Sequence, residues 1–215
     1  MRREKHIPYF ELVDTFKAPE CPVCFLVKDR RDKYFNTLVY EHLTDKFFRV
    51  AFNKASGFCN EHSHKFLDYS AGAGISIVHE SLLDIVIGYI EKGTLGKMKY
   101  TGPCKVCEIE QSFERQYLET ILAYIDDAAF KNDFLQSHGL CVPHCRDFMR
   151  DAWPLPKWFT EFHLEKYKNF RASMRRFIDS TDFVKKDTAA ATEEDKTAWR
   201  KIIPLMAGYR GRKER

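Results

Sequence analysis

Apolar residues recur at three- and four-residue spacing over long stretches of this chain, and strict apolar/polar alternation never runs far. That is the period of helices, not of strands. Ile109, Phe113, Tyr117, Ile121 and Ile125 form one stripe and predict a helix over about 104–126. Ile75, Val78, Leu82, Ile85 and Tyr89 form another, with Gly93 as its stop. Phe159, Tyr167, Phe170, Met174 and Phe177 continue the pattern after the Trp153-Pro154-Leu155-Pro156 break, and Trp199, Ile202, Ile203 and Leu205 predict a last helix around 193–206.

The pattern repeats. Cys21-Pro22-Val23-Cys24 returns as Cys104-Lys105-Val106-Cys107 after a shift of 83 residues, and Gly57-Phe58-Cys59-Asn60-Glu61-His62 returns as Gly139-Leu140-Cys141-Val142-Pro143-His144 after 82. Apolar neighbours keep the register: Tyr34 falls on Tyr117, Leu38 on Ile121, Val39 on Leu122, Phe66 on Phe148 and Leu67 on Met149. The fold expected is all-α, a duplicated three-helix module forming a pseudo-two-fold helical bundle with an extra C-terminal helix. Glycines and Pro103 in 92–103 mark a linker, and the Thr188-to-Thr192 run marks a second loose connection at 180–192. The expected divisions are therefore 1–95, 96–180 and a C-terminal 181–215, packed as one compact unit.

The repeated residues carry the candidate chemistry. Two residues three apart at a helix start share a face, so each Cys-x-x-Cys and each Cys-x-x-His offers two ligands to one ion. The dipole at a helix N-terminus favours the thiolate, the form that binds metal. Two complete sets, with 34 and 33 residues between their pairs, are a far more specific signal than one Cys-x-x-Cys. The bland alternative, buried small hydrophobes and satisfied core histidines, fits such a repeat poorly. Pairing within each half is the simpler expectation, giving Cys21-Cys24-Cys59-His62 and Cys104-Cys107-Cys141-His144, although the halves could exchange pairs. Three thiolates and an imidazole suit zinc, two per chain, with iron-sulfur clusters at the same ligands as the alternative. Phe25 and Glu108 follow the Cys-x-x-Cys pairs where c-type haem attachment needs histidine.

Other residues invite plainer readings. Cys145 has no partner in the first half, where Ser63 stands, and reads as a buried or spare thiol. His64 could compete with His62, but its counterpart is Arg146. His79 and His163 read as core histidines before they read as a polar pocket. Lys166, Lys168, Arg171, Arg175 and Arg176, with Arg210, Arg212, Lys213 and Arg215, could form a nucleic-acid surface. A solvated helix face is the better reading, because 35 basic residues against 31 acidic leave a net charge of only +4. The first residues lack the apolar core of an export signal, and His79, Glu80 and Asp84 interrupt the most apolar later stretch, so no membrane span is expected. The seven cysteines then belong in a reducing, cytoplasmic setting, where clustered thiols point to metal or redox chemistry.

The two Cys-x-x-Cys pairs, the Gly57 and Gly139 motifs, Phe177-Ile178-Asp179 and Trp199 resemble an uncharacterised bacterial family, a domain of unknown function found chiefly in anaerobes. The resemblance runs over nearly the whole chain and implies a soluble, helical, cysteine-rich protein with the same eight Cys and His positions. It brings no activity with it. Cys104-Lys105-Val106-Cys107 departs from it in lacking the proline of the first pair. No Gly-rich phosphate loop, pair of catalytic carboxylates or nucleophile elbow stands out. The expected function is a non-enzymatic, zinc-stabilised protein that binds a protein partner or small ligand. The alternatives are an iron-sulfur or dithiol redox protein and a nucleic-acid-binding regulator.

Overall fold

The computed structural model describes residues 4–70, 72–99, 102–152, 154–181 and 191–212. Among them are ten α-helices and no strand: α1 (Ile7–Thr15), α2 (Pro22–Thr37), α3 (Lys46–Lys54), α4 (Asn60–Phe66), α5 (Gly72–Glu91), α6 (Lys105–Tyr124), α7 (Ala128–Leu135), α8 (Val142–Asp151), α9 (Lys157–Thr181) and α10 (Glu193–Ala207). A π-helical segment, Leu38–His42, extends α2, and a 3-10 turn, Leu95–Lys97, follows α5. Trp153 and most of the expected 180–192 connection lie outside the described residues.

The repeat is visible in the order of elements, and it is longer than expected. Each half carries four helices, α2 to α5 and α6 to α9. The additional helices, α3 and α7, start at matching aspartates: Asp45 accepts the Phe48 N–H at 2.7 Å and Asp127 the Phe130 N–H at 2.9 Å. Such side-chain caps satisfy a donor the first helical turn leaves open. Helix α1 is an element that the hydrophobic pattern does not predict. Gly57 and Gly139, at φ +88° and +78°, turn the chain from those short helices into the Cys-x-x-His segments. At the far end Thr192 and Asp195 form a reciprocal capping box that opens α10.

The chain forms two compact units. One takes residues up to Leu26 and from Glu114 onward; the other is Val27–Phe113. The cuts fall inside α2 and α6, so the units differ from the halves drawn on the sequence. In the Val27–Phe113 unit the core gathers Phe35, Leu38, Phe52, Phe58, Phe66 and Val78 beside Cys104 and Cys107. Full burial of one such large side chain contributes about 1.5–3 kcal/mol. In the other unit Leu12, Tyr117, Ile121, Phe130, Phe134, Phe159 and Leu140 are buried almost completely.

Helix α5 is the stretch expected not to span a membrane. By length and composition alone it is long and apolar enough to do so. Only Val78 on it is buried, while Leu83, Ile87 and Ile90 are exposed.

Candidate metal centres

Four cysteines begin the segments that matter, and they do so in the same way. Cys21 and Cys104 stand before α2 and α6, and their carbonyls accept N–H groups of Phe25 and Glu108 at 3.0 and 3.1 Å. Cys59 and Cys141 cap α4 and α8 with nearly identical backbone angles, φ/ψ −66°/167° and −68°/164°. Their carbonyls accept from Ser63 and Cys145, each at 2.8 Å. In both cases the residue three positions on, His62 or His144, therefore sits in the first turn on the same face as the capping cysteine.

All eight expected residues are brought into two groups, but the groups are not those expected. Cys21, Cys24, Cys141 and His144 form one, and Cys59, His62, Cys104 and Cys107 the other, with the ligand atoms of each within 4.8 Å of one another. The local pairing Cys21-Cys24-Cys59-His62 and Cys104-Cys107-Cys141-His144 is thus replaced by an exchange. Helix length explains it. Helices α2 and α6 have 16 and 20 residues, about 24 and 30 Å at 1.5 Å per residue, whereas the return helices α3 and α7 have only 9 and 8. A return of about 12–14 Å does not bring Cys59 or Cys141 back to the start of its own outgoing helix. The sequence gap counts residues and misses this mismatch.

In the first group His144 Nδ1 lies 3.4, 3.5 and 3.2 Å from the sulfurs of Cys21, Cys24 and Cys141, and Cys24 and Cys141 are 3.6 Å apart. In the second, His62 Nδ1 lies 3.3, 3.5 and 3.4 Å from those of Cys59, Cys104 and Cys107, with Cys59 and Cys107 3.6 Å apart. Both imidazoles turn Nδ1 toward the sulfurs and Nε2 toward a buried carboxylate. His144 Nε2 is 2.5 Å from Glu114 Oε1. His62 Nε2 is 3.2 Å from Glu110 Oε2 but is poorly aligned and makes no hydrogen bond. The first clamp is therefore the tighter one. A carboxylate on the outer nitrogen fixes the tautomer that leaves the inner nitrogen free to bind a cation.

Two arginines complete the surroundings. Arg212 contacts Glu114 at 2.7 Å and Asp147 at 2.5 Å with its side chain 3% exposed. Arg31, also buried, reaches Glu110 at 3.6 Å. Arg212, one of the basic residues of the possible nucleic-acid surface, is instead neutralised inside the protein by Glu114 and Asp147. Lys213 and Arg215 lie outside the described residues.

The electrostatics match the geometry. For Cys21, burial raises the thiol but hydrogen bonds from Cys141 and Cys24 and the His144 charge outweigh it, leaving the group well below its usual range. Its repeat counterpart Cys104 is lowered to about 3, first by the Cys107 hydrogen bond and against burial. Burial would lower His62, yet Cys104 and Glu110 raise it to about 10, and His144 is raised for the same kind of reason. Each donor set thus already favours a thiolate on the leading cysteine of its Cys-x-x-Cys pair, Cys21 or Cys104.

The glutamates were missed, although a signal existed. Glu110 and Glu114 are 2% and 1% exposed and occupy core positions with Val106, Tyr117 and Ile121, while Ile109 and Phe113 are only half-buried. Two carboxylates one turn apart in a helix that carries a Cys-x-x-Cys are unusual core residues. The remaining candidates read plainly. Cys145 is buried, and burial pushes its thiol up to about 11. His163 has both ring nitrogens engaged, by Phe159 O at 2.9 Å and Leu140 N at 3.0 Å. His79 bonds Ile75 O at 2.8 Å. His64 belongs to neither donor group.

Fold and site together define an all-helical protein carrying two Cys/His groups that could hold metal ions. Residues 3–102 match the family described as "Family of unknown function (DUF6062)", in line with the resemblance drawn from the motifs; this stretch includes Cys21, Cys24, Cys59 and His62. The chain is also 28% identical over 141 residues to the "Uncharacterized 23.9 kDa protein in xynA 3'region" of Caldicellulosiruptor sp. (strain Rt8B.4), covering 62% of this chain and 67% of that protein. No solved structure matches.

Proposed function

We propose that this is a non-enzymatic, zinc-stabilised helical protein that holds one ion in each donor group and presents its surface to a partner. The observation that carries the zinc reading is the spacing of the ligand atoms. A tetrahedral ion about 2.3 Å from sulfur and about 2.0–2.1 Å from nitrogen has sulfur–sulfur edges near 3.8 Å and sulfur–nitrogen edges near 3.5 Å. One sulfur pair in each group at 3.6 Å and the sulfur–nitrogen distances of 3.2–3.5 Å lie close to those edges, and all the ligand atoms of each group lie within 4.8 Å of one another. An iron-sulfur cluster distributes its cysteines over several iron atoms and holds their sulfurs wider apart, so the alternative at the same ligands finds less support here.

Four protein ligands per ion leave no open position for substrate, which supports a structural role over a catalytic one. His144 and His62 would bind through Nδ1, with Glu114 and Glu110 orienting them. Anaerobic purification followed by metal analysis and a visible spectrum tests this reading. Two zinc ions per chain and no colour are expected; a brown protein with acid-labile sulfide would overturn it.

A further inference from the structure

The repeat allows each unit to be compared with its counterpart, position by position. In the unit containing α1, that helix lies in an aromatic groove. Tyr9 meets Tyr124 and Phe130 at ring separations of 4.7 and 5.7 Å, and Phe16, just after the helix, meets Phe130 and Phe134 at 5.4 Å each. Leu12, between them, is completely buried. Tyr117 donates to Glu11 at 2.8 Å and Tyr124 to the Glu4 carbonyl at 2.6 Å. With α1 in place, Tyr117, Ile121, Phe130 and Phe134 are all 0% exposed.

The repeat register maps those four residues onto Tyr34, Leu38, Phe48 and Phe52. In the Val27–Phe113 unit these same four line a cavity of about 570 Å³, joined by Gly57 and Phe58. The residues that correspond to α1 by the 83-residue shift are 90–98; they form the end of α5 and the 3-10 turn, and none lines the cavity. Tyr34 and Phe48 are half-buried where Tyr117 and Phe130 are covered, whereas Leu38 and Phe52 are buried on the floor of the cavity. The wall includes the Leu38–His42 π-helical segment through Leu38 and His42, a type of irregularity frequent at functional sites.

We propose that this cavity is a docking groove for an amphipathic helix of another protein, with an aromatic, a leucine and a second aromatic anchor spaced as in Tyr9, Leu12 and Phe16. This rests on the partner-binding part of the proposed function and names the partner's chemistry. Recognition by anchors at i, i+3 and i+7 is the usual way an amphipathic helix enters an apolar groove. The chain itself supplies the template, because α1 fills the counterpart groove in cis.

A fluorescent synthetic peptide of residues 5–18, added to the metal-loaded 215-residue chain, tests the proposal by polarisation. The result expected is saturable one-to-one binding that Ala51→Trp, which fills the exposed cavity wall, abolishes and Phe48→Asp weakens by about tenfold or more. A peptide carrying Leu12→Asp should not bind. Circular dichroism and metal content of the same samples report whether each variant is folded and whether the metal reading stands by itself. Absence of binding, or binding with the same affinity in both protein variants, overturns the groove. Concentration-dependent dimerisation of the unmodified chain that Ala51→Trp abolishes would make the occupant a second copy and overturn the heterologous partner.

Discussion

Glu110 and Glu114 stand one turn apart on α6 and serve different histidines, so their substitution separates the two centres. Glu114→Gln should lower the metal affinity of the Cys21-Cys24-Cys141-His144 group by about 10- to 100-fold, the usual cost of losing an outer-shell carboxylate, and leave the other group unchanged. Glu110→Gln should do the reverse, and by less, because its contact to His62 is poorly aligned. Competition against a chromophoric chelator reads both. Glu114 also predicts a pH dependence. Burial raises its carboxyl, but the hydrogen bond and charge of His144 and the Arg212 guanidinium outweigh that and depress it below 4.5. A depressed carboxyl stabilises the folded state fully above its unfolded value and loses that contribution as pH falls through the folded one. Urea unfolding should therefore show a gap between wild type and Glu114→Gln at neutral pH that closes in acid, as the carboxyl is protonated. A gap that widens in acid would contradict the assignment.

The short helices and turns show what the hydrophobic pattern could and could not reveal. Long stripes made α5, α6, α9 and α10 legible, since 15–25 residues give the period room to repeat. Helices α1, α3 and α7 have 8 or 9 residues, a little over two turns, and depend on aromatic packing, and in α3 and α7 on an aspartate cap, more than on period. Asp127→Ala should cost about 1 kcal/mol by leaving the first turn of α7 uncapped, as measured by denaturant midpoint. Gly139→Ala should destabilise more than a neutral surface change: its φ is +78°, and an added Cβ would stand 3.1 Å from the Phe162 ring and 3.4 Å from His163. The eight candidate ligands stood out in the sequence because metal chemistry restricts residue type and spacing. Their grouping was not, because it depends on helix lengths and on α3 and α7.

At the scale of the whole chain, the crossed pairing changes what the ions would do. The opening turn of α2 shares a group with α8, 117 residues later for Cys24 and Cys141, and that of α6 shares one with α4, 48 residues earlier for Cys107 and Cys59. Each ion would close a long loop, and structural zinc contributes about 10–16 kcal/mol per site against a total stability of about 5–15 kcal/mol for a typical domain. Chelation at neutral pH should therefore collapse helical circular dichroism, with recovery on adding zinc. The most direct test of the central claim counts bound zinc in two double variants after a mild chelator wash. Cys24→Ser with Cys141→Ser should keep one ion per chain, because both changes fall in one group, and Cys24→Ser with Cys59→Ser should keep none. The opposite result, none in the first and one in the second, would mean that each half binds its own metal and that the crossed arrangement is wrong.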